Sequence, residues 1–462
     1  MNQNFKKLKA NIVVVSNDIT HDNRILRHTA TLKKIGFNPT IICLTPKVSK
    51  REVKTYVGFK IIYLPNTSKQ LSSTKRTILP NIRTSLKRLE RLFRLFVGHQ
   101  LAKKATKYID NFKYFLDVKL NNTIYLISDI IKVIFNHYGM TLLKIELIKQ
   151  KADLIVANDL PAFIPSHQAA RQTSAKLVYD SHEIFLKSHA ARNNNLEHLG
   201  LRIVQPLKRY LWIKFETKNI NSTDLNITVN NSLANYFKKH YNLTKKPIVI
   251  RSIFDYQKAT NTNLFHEKLK LPKQTKIILY LGLLAKGRDI DSLIKALPLL
   301  PKNYCLVLMG YGRDQLYYQK LSKQKRFHSQ LFVVPPKNKN QLIKYASCAH
   351  IGTLLRTKNS FDNWYYSLPN KLFEYIMAGL PIIATDLPEI KKVINTDDLG
   401  ILVKNPDSSD QVATAIKDML QPKHWQKFHN NCLRVAKNKY NWQLEEQKLI
   451  QQYHKLFPQL IK

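Results

Sequence analysis

The feature that most constrains the fold is a series of short, β-branched apolar runs, each ending in polar or glycine residues. Helical stretches separate them. "NIVVVSN" (11–17), "PTIICLT" (39–45), "FKIIYLP" (59–65), "ADLIVAND" (152–159), "AKLVYDSHE" (175–183) and "LNITVNNS" (225–232) form a first series. The pattern restarts with "KIILYLG" (276–282), "YCLVLMG" (304–310), "QLFVVPP" (330–336), "AHIGTLL" (349–355), "LPIIATD" (380–386) and "GILVKN" (400–405). Runs without alternation suit strands buried on both faces, and strands alternating with helices suit parallel, doubly wound sheets. The spacing predicts a helix over 23–36 with Ile25, Leu26, Thr29, Leu32 and Ile35 on one face and Gly36 as its stop.

Two such series need two cores, and 462 residues with 44% hydrophobic content can supply them. The expected domains are 1–240, with a basic helical insertion at about 69–150, then 241–430, then a terminal amphipathic stretch, 431–462, packing back toward the first domain. Ligands of such sheets bind beyond the carboxyl ends of the strands. Cys43, Cys305, Cys348 and Cys432 are widely spaced and suggest neither zinc ligation nor a disulfide framework. The amino-terminal apolar run is too short for a signal peptide, and no run reaches the roughly 18 residues of a spanning helix. The expected location is the cytoplasm, with any membrane contact peripheral, on the inner face.

The formal charge of +44 comes from 75 Lys and Arg against 31 Asp and Glu. Such a field attracts anions generally, although Lys is spread through most segments. It is concentrated around "IRTSLKRLERLFRLFVG" (82–98), where Ile82, Leu86, Leu89, Phe93 and Phe96 share a helical face. That pattern fits a helix on an anionic membrane surface and equally a helix packed on its own sheet. No nucleic-acid module accompanies it.

Three strand ends carry candidate binding residues. "SLPNKLFEYIMAGLPIIATDLPEI" (367–390) reads as a helix with Pro369 in its first turn, Asn370 as cap, and Gly379 and Pro381 as its end. Such a helix start attracts phosphate. Glu374 either complements the helix dipole or reaches a ligand's hydroxyl pair. "YLGLLAKGRDIDSLIKAL" (280–297) offers Gly282, Lys286, Gly287 and Arg288, and "LVLMGYGRD" (306–314) offers Gly310 and Gly312. Asp289 and Asp291 resemble a metal-binding Asp-x-Asp pair but open a helix, where they read as caps.

These stretches, with "SNDITHDNRILRHTATLKKIGF" (16–37) and "ADLIVANDLPAFIPSHQAARQTSAKLVYDSHEIF" (152–185), resemble the large group of bacterial, retaining, nucleotide-sugar-dependent glycosyltransferases of GT-B fold. The resemblance implies two Rossmann-like domains facing across a cleft, an α/β class. It implies a nucleoside-diphosphate sugar as donor, a sugar or lipid-linked acceptor, and no metal or permanently bound cofactor. Donor binding would fall to Gly282, Lys286, Arg288, Gly310, Gly312, Asn370, Lys371 and Glu374, with Glu374 on the ribose. His182 and Glu183 match the cleft histidine and its neighbour. Asp22 and Arg24 match the acceptor-side loop.

Two positions depart from the group's pattern. Tyr366 stands eight residues before Glu374, where a first Glu contacts the donor sugar, and Leu283 follows Gly282 where Arg is usual. "SNDITHDN" also lacks the paired glycines common in the first-strand loop. A nucleotide-sugar epimerase on the same fold, or a non-catalytic relative binding membrane or acidic polymer, are the alternative readings.

Overall fold

The computed structural model describes residues 7–16, 19–66, 139–185, 199–260, 262–286, 290–356 and 365–460. The basic stretch 82–98 and most of the expected insertion lie outside the described residues, as do Gly287, Arg288 and Asp289. Two compact units make up the chain: residues 1–227, 239–245 and 459–462, and residues 228–238 and 246–458. Among the described residues no helix is long and apolar enough to cross a membrane.

The first unit is built on strands β1 (Lys9–Val15), β2 (Asn38–Thr45), β3 (Glu52–Tyr56), β4 (Phe59–Pro65), β5 (Leu154–Asn158), β6 (Lys176–Ser181) and β7 (Leu225–Thr228), in the order β3-β4-β2-β1-β5-β6-β7. β1 runs parallel to β2 and β5, β2 to β4, and β5 to β6. This is the doubly wound pattern expected from the apolar runs. β3 was not anticipated. It pairs antiparallel with β4 through a turn at Val57 and Gly58, both with positive φ (50° and 75°), as a two-residue hairpin requires. Most of its residues are exposed, so no apolar run marks it.

Helix α1 (Asn23–Lys34) buries Ile25, Thr29 and Leu32 as its periodicity predicts, and also Arg24 and His28. It ends two residues before Gly36, whose φ of 105° suits a glycine. Helix α2 (Asp159–Thr173) follows β5 with no intervening loop.

In the second unit a two-residue strand, β8 (Ile248–Val249), precedes the main sheet. That sheet comprises β9 (Lys276–Leu283), β10 (Tyr304–Tyr311), β11 (Leu331–Val334), β12 (Ile351–Leu354), β13 (Ile382–Thr385) and β14 (Gly400–Val403), ordered β11-β10-β9-β12-β13-β14. The pairings described are all parallel. Alternate residues serve two cores: Ile277, Leu279 and Leu281 belong to one, Ile278 and Tyr280 to the other. Burial on both faces explains the unbroken apolar runs. The terminal helix, Trp442–Leu456, docks within this unit: the Trp442 amide donates to the Phe254 carbonyl, and Glu445 binds Arg251 at 2.8 Å.

Candidate active site

In the second sheet the chain builds outward from β9 to β10 and β11, then crosses to β12 on the other side. The boundary between β9 and β12 is therefore the topological switch point, where α/β sheets open a ligand crevice. β9 and β12 pair only at Ile278 and Leu279. Beyond that, the Tyr375 hydroxyl takes the place of a strand neighbour. It accepts from the Leu281 amide at 2.9 Å and lies 3.3 and 3.2 Å from the carbonyls of Leu279 and Thr353. Gly352 makes room for the ring, since a Cβ there would overlap it. Burial pushes the Tyr375 phenol well above its ordinary range, so it stays protonated as a donor. Neither Tyr375 nor Gly352 stood out in the sequence; the "EY" pair and the glycine inside an apolar strand were the available signals.

Tyr375 anchors helix α3 (Asn370–Met377) at this opening. The capping position belongs to Pro369, with extended backbone and no side-chain cap, and Asn370 is the first helical residue rather than the cap. Proline's fixed φ suits either place, but its ring offers no capping oxygen. Glu374 is half-buried and makes no side-chain hydrogen bond to a described residue. Burial pushes its carboxyl up to about 7, against an opposing pull from Lys371. The Lys371 ammonium lies 4.1 Å from the centre of the Tyr280 ring, a cation–π contact.

Gly282, the last residue but one of β9, has a φ of 130° and nothing within 4 Å of where a Cβ would stand. Only glycine adopts this backbone readily, and it leaves open space beside the strand end. At Gly310 a Cβ would strike the Gly282 carbonyl, and at Gly312 the Leu284 carbonyl. Their glycine identity thus follows from close backbone packing, sealed by the Leu284 amide on the Tyr311 carbonyl at 2.7 Å. The Lys286 amide donates to Asp314 at 2.7 Å, and its ammonium lies 4.5 Å from the Tyr317 ring centre. Leu283 is 40% exposed at the mouth of the turn. Tyr366 is half-buried; its carbonyl accepts from Asn230 at 2.8 Å, and its ring lies 6.1 Å from that of Tyr236.

A cavity of about 560 Å³, lined by Lys276, His350, Trp425 and His429 among others, opens at the amino end of β9. It contains none of the candidate residues and lies away from the strands' carboxyl ends.

The first unit gathers a different cluster. Arg24 forms a bidentate pair with Asp180 at 3.0 and 2.7 Å, and both are buried. His28 approaches the same carboxylate at 3.6 Å. His182, 23% exposed, lies with Nδ1 3.2 Å from Asp159 and Nε2 3.6 Å from Asp180, while its amide donates to Asp159 at 2.9 Å. Asp159 holds a φ of 61° at the first position of α2, a costly conformation of the kind found at functional sites. Asp22 caps α1 by accepting from the Ile25 amide at 3.2 Å. Glu183 accepts from the Ser181 hydroxyl through its carbonyl. The sequence reading missed Asp159, Asp180 and His28; the first two end apolar strands, which was their signal.

Residues 261–442 match the family described as Glycosyl transferases group 1. The chain is 24% identical over 263 residues to the chitobiosyldiphosphodolichol beta-mannosyltransferase of Candida albicans, covering 53% of this chain and 54% of that protein. It spans about half to two thirds of the curated relatives it matches. Among solved structures, sucrose-phosphate synthase from Thermosynechococcus elongatus superposes with a TM-score of 0.64 at 14% identity, over 98% of this chain and 100% of the other. Anabaena HepE in complex with UDP superposes at 0.62 and 13% identity, over 97% and 100%. The chain has the GT-B fold, and its residues 261–442 are similar to the group 1 glycosyl transferases. Within those residues, Gly282 lies near the carboxyl end of β9, and Tyr375 and Glu374 are neighbours on α3.

Proposed function

We propose that the protein transfers a sugar from a nucleoside-diphosphate sugar to an acceptor hydroxyl, with retention and without a metal. The observation that carries this reading is Glu374: a half-buried carboxyl without a hydrogen-bonding partner among the described residues, next to Tyr375, whose hydroxyl bridges β9 and β12 at the switch point. Leaving such a group unsatisfied costs stability, which suits a site completed by a ligand's hydroxyls. The ribose diol of a nucleotide fits, with the diphosphate toward the first turn of α3 and the glycine turn after β9. HepE, of like fold, was solved with UDP, which supports a nucleotide donor.

The departing diphosphate gains charge as the anomeric bond breaks. Lys286, Arg288 and the α3 amides would stabilise it. The acceptor oxygen bonds to the anomeric carbon as the C–O bond to phosphate breaks, and the acceptor proton passes to the departing phosphate. Attack on the same face follows, because no carboxylate stands out as a covalent nucleophile. A lipid-linked acceptor on the inner face of a membrane is in keeping with the basic charge and with the Candida relative, whose name describes a diphosphodolichol-linked substrate.

The test incubates the protein with labelled nucleotide sugars and a lipid extract, alongside thermal-shift measurement with nucleoside diphosphates. Label in an acceptor and a raised midpoint with at least one nucleotide are expected. Free sugar or an interconverted nucleotide sugar would favour an epimerase; no binding and no transfer would overturn the reading.

A further inference from the structure

The cluster in the first unit points beyond a histidine that merely orients a hydroxyl. We propose that Asp159 and Asp180 hold His182 as an imidazolium, so that it serves transfer as a fixed cation and not as a base. This rests on the transferase reading for its purpose, but not for its protonation state.

Geometry comes first. A neutral imidazole has one donor and one acceptor nitrogen. In His182 both nitrogens face carboxylates, Nδ1 toward Asp159 at 3.2 Å and Nε2 toward Asp180 at 3.6 Å. A lone pair on either nitrogen would point at negative charge. Only the doubly protonated ring suits both neighbours.

Charge balance points the same way. Asp180 is fully buried and already holds Arg24 in a bidentate pair. Asp159 adds a second negative charge 3.2 Å from the ring. Among the described residues, two carboxylates and one guanidinium leave the cluster one positive charge short, and buried charge without a partner is costly. His28 also faces Asp180, but burial lowers its pKa and favours its neutral form. Glu216, behind Asp159, accepts from the hydroxyls of Tyr179 and Tyr241, and burial raises its pKa. His182 is left as the group that completes the balance. Burial alone would lower its pKa, but the fields of Asp159 and Asp180 outweigh it and raise it to about 10.

The consequence is mechanistic. An imidazolium cannot take the acceptor proton, so that proton must leave with the departing phosphate, as the same-face route requires. Nε2 is buried and makes no hydrogen bond among the described residues; its proton faces the Asp180 carboxylate, so the ring acts on a substrate oxygen through its fixed positive charge. Asp159 and Asp180 are then positioning residues, and the left-handed backbone of Asp159 is what turns its carboxylate back onto the His182 amide and ring.

The test uses the whole protein with ¹⁵N-labelled histidine. Nitrogen shifts distinguish imidazolium from either neutral tautomer, and the His182→Gln spectrum assigns the signal. Should that variant not fold, diethyl pyrocarbonate labelling of the unmodified protein, read by mass spectrometry, gives the same midpoint, because only neutral imidazole reacts. Expected is a midpoint above about pH 8.5, and in Asp159→Asn a midpoint lower by about a unit or more. With a substrate in hand, kcat at saturating donor should hold at low pH and fall as His182 loses its proton. A neutral ring at about pH 7.5, or kcat at saturating donor falling on acidification through about pH 6.5, would overturn the proposal. Because the midpoint is read without nucleotide, its failure leaves the transferase reading standing, and failed nucleotide binding leaves the midpoint standing.

Discussion

The polar groups at the two sets of strand ends are treated in opposite ways. At the ends of β5 and β6, Arg24, Asp159, Asp180 and His182 partner one another within the fold. At the end of β9 and on α3, Glu374 makes no hydrogen bond among the described residues, Gly282 leaves open space, and the Tyr375 hydroxyl bridges the strands. One set is organised by its own partners; the other, under the proposed function, is finished by a ligand. Buried charge demands the first treatment, because its partners must be present at folding. A half-exposed carboxyl tolerates the second, because water serves until a hydroxyl replaces it.

The contrast can be broken most forcibly in the first unit. Asp180→Asn leaves the Arg24 guanidinium buried opposite a neutral amide, and should cost about 3–5 kcal/mol in denaturant unfolding. In the second unit Gly352→Ala forces the Tyr375 ring to move and should cost about 1–3 kcal/mol. Tyr375→Phe removes the hydroxyl that bridges Leu281, Leu279 and Thr353; a loss of about 1–2 kcal/mol is expected, with weakened nucleotide binding as the strand ends relax. A null result for Asp180→Asn would show that the first cluster is not the self-contained network described above.

The smallest effect comes from pH. Burial raises the Glu374 carboxyl to about 7, above its ordinary 4.5. Folding favours the protonated form, so this group subtracts stability as pH rises from 4.5 toward 7, where ionisation of the folded state stops the loss. A ribose diol donates to the ionised form. Nucleotide affinity should therefore rise severalfold between about pH 6 and 8, read by titration calorimetry.

Both parallel sheets were legible in the sequence, because strands covered on two faces leave unbroken apolar runs such as Ile277–Leu281 and Ile12–Val14. β3 was not, because an edge strand with exposed faces carries no such run. In the second unit, Gly282 and Glu374 could be singled out because glycine and a carboxylate are rare beside apolar strands. Tyr375 could not, since a buried tyrosine in an apolar helix reads as core until its hydroxyl is seen between two strands. Asp180 was hidden for another reason: its partner Arg24 lies 156 residues off, and no local spacing reports a contact of that separation. Asn370 looked like a cap by residue type, but Pro369 holds the extended backbone of that position.

The central claim is that Glu374 completes a nucleotide site, and calorimetric titration of nucleoside diphosphates into Glu374→Gln beside the unmodified protein tests it most directly. Gln keeps the shape but loses the charge that strengthens hydrogen bonds to a diol. A loss of affinity of about tenfold or more, with stability kept or raised, is the predicted result. Equal affinity in the two proteins would contradict it.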